Sequence, residues 1–209
     1  MKPSSGAPIE AEAKFALPDG FDVRALQVQL HRRGFVPSML AQQDTYLGHF
    51  ARDFGETDEA LRVRKQIELP VGEGPLPPFP ADGASPSWST WLTYKGPKLE
   101  QRSKARVEIE VRTGATVAEA LLLAGFRHAG EVRKVRQLWQ AGAPNHKDLQ
   151  VAIDHVDGLG LFVELERSTD HAGLAAVVDG LIDEAHELLG PAAVSERRSY
   201  LELIRLKAT

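Results

Sequence analysis

Cysteine is absent from the 209 residues, which excludes disulfides, thiolate metal sites and cysteine nucleophiles. No apolar run approaches the roughly 20 residues that cross a bilayer as a helix. Met1–Pro8 also lacks the apolar core of a signal peptide, so a cytoplasmic protein with no membrane partner is expected. There is no GxxxxGK(S/T) phosphate loop, no GxGxxG opening a helix and no HExxH, and the seven histidines are scattered without metal-ligand spacing. A formal net charge of −4 gives no general affinity for nucleic acid, and none is expected as a partner. What remains is a globular chain, 43% hydrophobic and 26% charged, long enough to bury a substantial core.

What the chain does have is alternation. In Ile9-Glu10-Ala11-Glu12-Ala13-Lys14-Phe15 the charges fall on one parity and the apolar residues on the other. The pattern recurs in Leu61–Arg64, Leu92–Lys95, Arg106–Val111, Val132–Leu138, Val151–Asp154 and Phe162–Glu166. Successive side chains of a strand point to opposite faces, so each segment presents a charged face and an aliphatic face. A half-buried strand facing water also alternates, but its polar face normally mixes in Ser, Thr, Gln and Asn. Seven faces made almost wholly of Arg, Lys, Glu and Asp predict a charged interior, with the apolar faces turned outward under helices.

Helices are predicted over Val23–Arg33, stopped by Gly34, over Ala118–Ala124 behind a Thr116-x-x-Glu119 capping box, and over Asp170–Leu189, ended by Gly190-Pro191. A short final helix is expected at Ser199–Leu206, where Ser199 and Tyr200 either close an opening or simply cap the helix. The order acidic strand, helix, Gly-Phe, strand occurs twice, at Glu10 to Tyr46 and at Glu108 to Arg136, which hints at an internal duplication if the recurrence is not chance. Residues 70–90, rich in proline and glycine, read as a surface excursion from a hairpin in a single domain spanning 9–206, after a flexible 1–8. Trp88 and Trp91 either anchor that excursion or stack on a base.

On the inner parity, Arg62, Arg64, Lys95, Arg106, Lys134 and Arg136 supply cations, while Glu10, Glu12, Glu108, Glu110, Asp154, Glu164 and Glu166 supply carboxylates. So many charges in one cavity are costly unless paired, hydrated or neutralised by a ligand. A polyphosphate carrying a divalent metal satisfies both halves of the set: guanidinium and ammonium groups take phosphate oxygens, and carboxylates take Mg²⁺ or Mn²⁺. For any one pair, a structural salt bridge is the competing explanation.

The ordered motifs resemble those of the CYTH superfamily, the triphosphate tunnel metalloenzymes. They are Glu10-x-Glu12-x-Lys14, Leu61-Arg-Val-Arg64, Thr93-Tyr-Lys-Gly-Pro97, Arg106-x-Glu108-x-Glu110, Lys134-x-Arg136, and Asp154 followed by Gly158-Leu-Gly160-x-Phe162-x-Glu164-x-Glu166. The likeness runs from about Ile9 to Ile204. Asp44 and Tyr46, the Gly158–Phe162 phrase and the Arg198–Ile204 tail are most similar to the class IV adenylyl cyclase branch. The resemblance implies an α+β fold, an eight-stranded antiparallel closed β-barrel with helices packed outside. It also implies conversion of ATP to 3′,5′-cyclic AMP and pyrophosphate with Mg²⁺ or Mn²⁺. Glu10, Glu12, Glu164 and Glu166 are then the expected metal ligands, with Asp154 a ligand or a supporting residue. Arg62, Arg64, Lys95, Lys134 and Arg136, together with Arg106, are expected on the triphosphate. Lys14 touches phosphate or helps deprotonate the nucleophile, and Glu108 and Glu110 orient cations. The proline-rich segment is longer than that branch leads one to expect.

Two other functions stay open on the residues alone. One is hydrolysis of thiamine triphosphate, a nucleotide or inorganic triphosphate in the same tunnel, and the other is non-catalytic binding of polyphosphate. The branch resemblance also allows a homodimer, for which the Asp170–Leu189 helix offers surface, although core packing explains that helix equally well.

Overall fold

A computed structural model describes residues 9–80, 88–99, 104–141 and 149–208. All seven alternating segments and the stretch around Asp44 form strands: β1 (Ile9–Ala16), β2 (Phe35–Gly48), β3 (Ala60–Leu69), β4 (Ser89–Lys95), β5 (Arg106–Thr113), β6 (Arg127–Ala141), β7 (Gln150–Val156) and β8 (Gly160–Thr169). They close an antiparallel barrel in the order β1-β5-β4-β3-β2-β6-β7-β8. The seam between β1 and β5 is short, with Ile9 opposite Val107 and Glu10 opposite Arg106.

The ring order carries the duplication. Exchanging each of the first four strands with the strand four places later turns the ring into itself read backwards. Strands β1 and β5 precede matching helices, α1 (Val23–Arg32) and α2 (Val117–Leu123), and β2 lies against β6 along nearly its whole length.

The aliphatic parity faces outward, as expected. Ala11, Ala13 and Phe15 of β1, Val151 and Ile153 of β7, and Val163 and Leu165 of β8 are buried under α1 and α3 (Leu174–Leu189). Those helices fold because their apolar residues recur at helical spacing: Val23, Leu26 and Leu30 in α1, and Leu174, Val178, Leu181, Ala185 and Leu188 in α3. Asp22 caps α1 by accepting from the Ala25 amide at 3.0 Å, and Gly34 ends it at φ +85°. Helix α3 starts four residues later than predicted, because Asp170 accepts from the Gly173 amide in a turn ahead of it.

One expectation needs correction. The Thr116 side chain makes no capping bond, and α2 buries none of its residues, so the predicted box does not form there. It forms instead at the last helix, α4 (Tyr200–Ala208), where Ser199 Oγ accepts from the Glu202 amide at 3.2 Å and Glu202 accepts from the Ser199 amide at 2.6 Å.

Met1–Pro8 and residues 81–87 of the proline-rich segment lie outside the described residues. The remainder of that segment is seated on the barrel: Leu76 is buried in the core, and Gln27 of α1 both donates to the Gly74 carbonyl and accepts from its amide. Trp88 meets Phe79 at a centroid distance of 6.2 Å, an anchoring contact between the two described sides of the excursion. The Trp91 indole donates to Ser89 Oγ.

Candidate functional site

Inside the barrel lies a cavity of about 340 Å³ lined by the charged parity of the strands. Fourteen residues were singled out from the sequence, and all but Lys14 and Asp154 line it. Strand geometry accounts for this, because one residue in two on each strand faces the lumen.

The cations and acids are organised by register. Asp44 on β2 lies opposite Arg64 on β3 and receives a two-pronged contact, Arg64 Nε to Oδ1 and Arg64 Nη2 to Oδ2, both at 2.7 Å. Arg62 adds a bond at 3.3 Å. Two strands along the ring from β2, Asp154 of β7 takes the matching fork from Arg136 of β6, at 2.7 and 2.6 Å, together with Lys134 Nζ at 2.8 Å. Burial acts to raise both carboxyls, but the adjacent guanidinium and ammonium charges outweigh it and hold both below the usual carboxylate range. Lys134 pays for the crowding of cations, its ammonium lowered to about 8 by burial and by Arg136.

Asp154 is fully buried and also accepts from the Tyr200 hydroxyl at 2.9 Å, so both of its oxygens are engaged by the protein. It therefore sits behind the lumen wall, orienting Lys134 and Arg136. Lys14 is likewise outside the open lumen. Its ammonium donates to the Arg198 carbonyl and stands 4.1 Å from the centroid of the Tyr200 ring. Burial, with the nearby Lys104 charge, lowers it to about 7. Glu108 pairs with Lys95 and reaches Arg62, and Glu110 accepts from Thr93 at 2.6 Å and lies 3.6 Å from Arg62; both orient cations.

One end of the barrel is plugged. Tyr200 packs with Val132, Val156 and Phe162, the inward residues of β6, β7 and β8 at that end. Its ring meets Phe162 edge-on at 5.0 Å. The preceding segment is tied to β1 through the Phe15–Ser195 bridge and the Glu196 amide, which donates to the Lys14 carbonyl at 2.6 Å.

The acids on β1 and β8 are arranged differently. Glu12 lies directly opposite Glu166, a like-charge pairing that strand ladders avoid. Burial, reinforced by Glu166 and Glu108, pushes Glu10 up to about 9, and burial with Glu12 raises Glu166. Glu12 is held by Lys104, and Glu164 by Arg136 and, at 3.6 Å, by Lys104. Among the described residues no three acids or histidines already converge as a ligand cluster. The donor set is nevertheless of the hard-oxygen kind that suits Mg²⁺ or Mn²⁺, and its crowded carboxylates are relieved by a cation. The residues fit such an ion.

Lys104 was not singled out from the sequence, yet it is buried and bridges Glu12 and Glu164. Its signal was parity: 104, 106, 108 and 110 continue the inward face of β5 backwards. Asp44 was quoted in a motif without a role.

The CYTH domain family profile matches residues 8–200 of this chain. A protein of Methanocaldococcus jannaschii, provisionally named an adenylate cyclase, is 34% identical over 202 residues, spanning 93% of this chain and 98% of the relative. Among solved structures, the PH1819 protein of Pyrococcus horikoshii superposes with a TM-score of 0.73 at 30% identity, over 95% of this chain and 99% of its own. A Hippeastrum protein, provisionally named an adenylyl cyclase and described as showing a dominant triphosphatase activity, shares the fold at a TM-score of 0.61 and 16% identity, over 96% of each chain.

Proposed function

The chain belongs to the CYTH domain family, and from that premise we propose that it is a class IV-type adenylyl cyclase, forming 3′,5′-cyclic AMP and pyrophosphate from ATP in the barrel lumen. The observation that carries the proposal is the division of the lumen. Four of its seven acids crowd together on β1 and β8, with Glu12 facing Glu166, while four of its seven cations, Arg62, Arg64, Lys134 and Arg136, stand on β3 and β6 and the other three on or beside β4 and β5. A triphosphate with its counter-cation is a guest that satisfies both walls.

Arg62, Arg64, Lys95, Lys134 and Arg136 bind the triphosphate in this scheme, joined by Arg106 and by Lys104. Asp44 and Asp154 fix the guanidinium planes, so the phosphate oxygens meet donors already oriented. Glu10, Glu12, Glu164 and Glu166 are the residues that would hold Mg²⁺ or Mn²⁺; when bound, such an ion neutralises phosphate charge and stabilises the attacking and leaving oxygens. The 3′-hydroxyl oxygen of the ribose bonds to the α-phosphorus, the bond from that phosphorus to the bridging oxygen breaks, and pyrophosphate leaves with the electron pair and takes up the proton that the hydroxyl gives up. Positioning and charge neutralisation suffice for such a transfer. Tyr200 fills the end of the lumen beside β6, β7 and β8, and Lys14 fastens it through the Arg198 carbonyl.

Hydrolysis of a triphosphate by water is the second function compatible with the same lumen, and the Hippeastrum protein of like fold is described with that activity. The adenylate cyclase name of the Methanocaldococcus relative, at 34% identity, favours cyclisation. Incubation of purified protein with ATP and Mn²⁺, followed by chromatography, separates the two: cyclic AMP with pyrophosphate is expected, and ADP with phosphate overturns the cyclase assignment.

A further inference from the structure

A second cavity, of about 540 Å³, adjoins the lumen and belongs to no site assigned above. Tyr46, Arg106 and Ser199 line both spaces, so the two cavities meet at those three residues. Its volume lies in the range of small-molecule clefts. Its walls are the β2–β3 connection, residues 49–59, and the inner side of α4.

The character of this wall differs from that of the lumen. His49 and Phe50 stack on each other, with centroids 4.7 Å apart and planes 25° apart, and Phe54 lies 5.9 Å from His49 at 31°. Phe126 supports His49 edge-on from outside the cavity at 5.3 Å. Phe50 is 63% exposed, so the stack ends in an uncovered aromatic ring. The loop carrying it is built: Asp53 accepts from the Gly55 amide at 2.7 Å, and the Glu59 amide donates to the Phe54 carbonyl at 2.8 Å. Of the acids in this wall, Asp58 pairs with Lys98 at 2.6 Å and Glu59 with Arg52 at 3.2 Å, while Asp53 and Glu202 accept from backbone amides. Four carboxylates in the wall disfavour another anion, and the aromatic stack suits a flat, uncharged heteroaromatic ring.

We propose that this cavity is the base subsite, in which the nucleobase of a nucleoside triphosphate extends the His49–Phe50 stack while its phosphates occupy the lumen. Phe50 is then a specificity-determining residue that separates a nucleotide from inorganic triphosphate. The inference rests on the lumen being the triphosphate site, and its test is built to fail separately from that reading.

Affinities for ATP, thiamine triphosphate and inorganic tripolyphosphate are measured by calorimetry with Mn²⁺ for the wild type, Phe50→Ala and Phe50→Trp. Base stacking on an aromatic side chain predicts a loss for ATP on the order of tenfold in Phe50→Ala. Unchanged tripolyphosphate affinity and recovery of ATP binding in Phe50→Trp are also expected. Phe50 is largely exposed, so the variants should fold; unchanged thermal melting checks this. ATP binding equal in wild type and Phe50→Ala, with tripolyphosphate still bound, overturns the base subsite and leaves the lumen assignment standing. Equal weakening of ATP and tripolyphosphate, or weakening confined to thiamine triphosphate, also overturns it. Failure of the wild type to bind any of the three overturns both.

Discussion

Asp44 and Asp154 stand on β2 and β7, the two neighbours of β6, and each carboxylate holds a pair of cations from an adjacent strand. Asp44 stands on β2 and holds Arg62 and Arg64 of β3, whereas Asp154 stands on β7 and holds Lys134 and Arg136 of β6. Exchanging the two halves of the ring maps β2 onto β6 and β3 onto β7, so the same interstrand fork is built twice with acid and base interchanged. Two pairs of cations, on β3 and β6, are thereby fixed on either side of β2.

Replacing Asp44 tests that arrangement. The carboxylate is buried with two arginines, and removing one member of a buried ion pair leaves uncompensated charge at a cost of about 3–5 kcal/mol. Asp44→Asn should lower stability by that order in urea denaturation. The folded-state value of Asp44 lies below its unfolded 3.8, so its contribution is complete above about pH 4 and is lost as pH falls below it. The wild type should therefore lose stability more steeply than Asp44→Asn below pH 4; parallel profiles would show that the pair contributes nothing.

Glu10→Gln should separate function from folding in the opposite sense. The carboxyl is crowded by Glu166 and Glu108, and the amide keeps its shape without the repulsion. Thermal melting of the metal-free protein should stay the same or rise, while Mn²⁺-dependent turnover falls about 100-fold. A melting temperature that drops together with activity would mark Glu10 as a structural residue.

The plug can be tested through Tyr200. Its hydroxyl donates to Asp154, and its ring packs with Val132, Val156 and Phe162. Tyr200→Phe removes one hydrogen bond from a carboxylate that keeps Arg136 and Lys134, a loss of about 1 kcal/mol. Tyr200→Ala also empties the ring's place and should cost about 3–5 kcal/mol. Equal denaturation midpoints for the two variants would mean that the ring does not seal the barrel end.

Most of this architecture was legible because strand parity sorts charge from apolar residues with a period of two, and a barrel turns each sorted face into lumen or core. Twelve of the fourteen chosen residues reached the lumen for that reason. Lys14 and Asp154 have the right parity but lie where Tyr200 and the 195–200 segment cover the barrel end, and parity along a strand says nothing about what caps it. The capping pattern was ambiguous for a related reason. Thr116-x-x-Glu119 and Ser199-x-x-Glu202 are equivalent as text, but α4 is anchored by the buried Tyr200 and α2 buries nothing. The His49–Phe54 wall had no sequence signal, because a loop has no repeat to read.

Lys104 links the two walls and yields the last prediction. In the metal-free protein it holds Glu12 and lies 3.6 Å from Glu164, while Arg136 also holds Glu164, so these acids are occupied by the same cations that a triphosphate would recruit. Phosphate oxygens that take Lys104 and Arg136 release Glu12 and Glu164, and each ligand then prepares the site of the other. Linkage requires the effect to be mutual: tripolyphosphate should tighten Mn²⁺ binding by the same factor as Mn²⁺ tightens tripolyphosphate, within the usual 5- to 150-fold range of such couplings, which is about 1–3 kcal/mol. Direct contact between the ion and the phosphates contributes to that factor as well, so the informative variant is Lys104→Met. It frees Glu12 beforehand, and should bind Mn²⁺ alone more tightly than the wild type while binding tripolyphosphate alone more weakly. Titrations followed by the electron paramagnetic resonance of free Mn²⁺ and by calorimetry read the two affinities; an unchanged Mn²⁺ affinity in Lys104→Met would refute the exchange of partners.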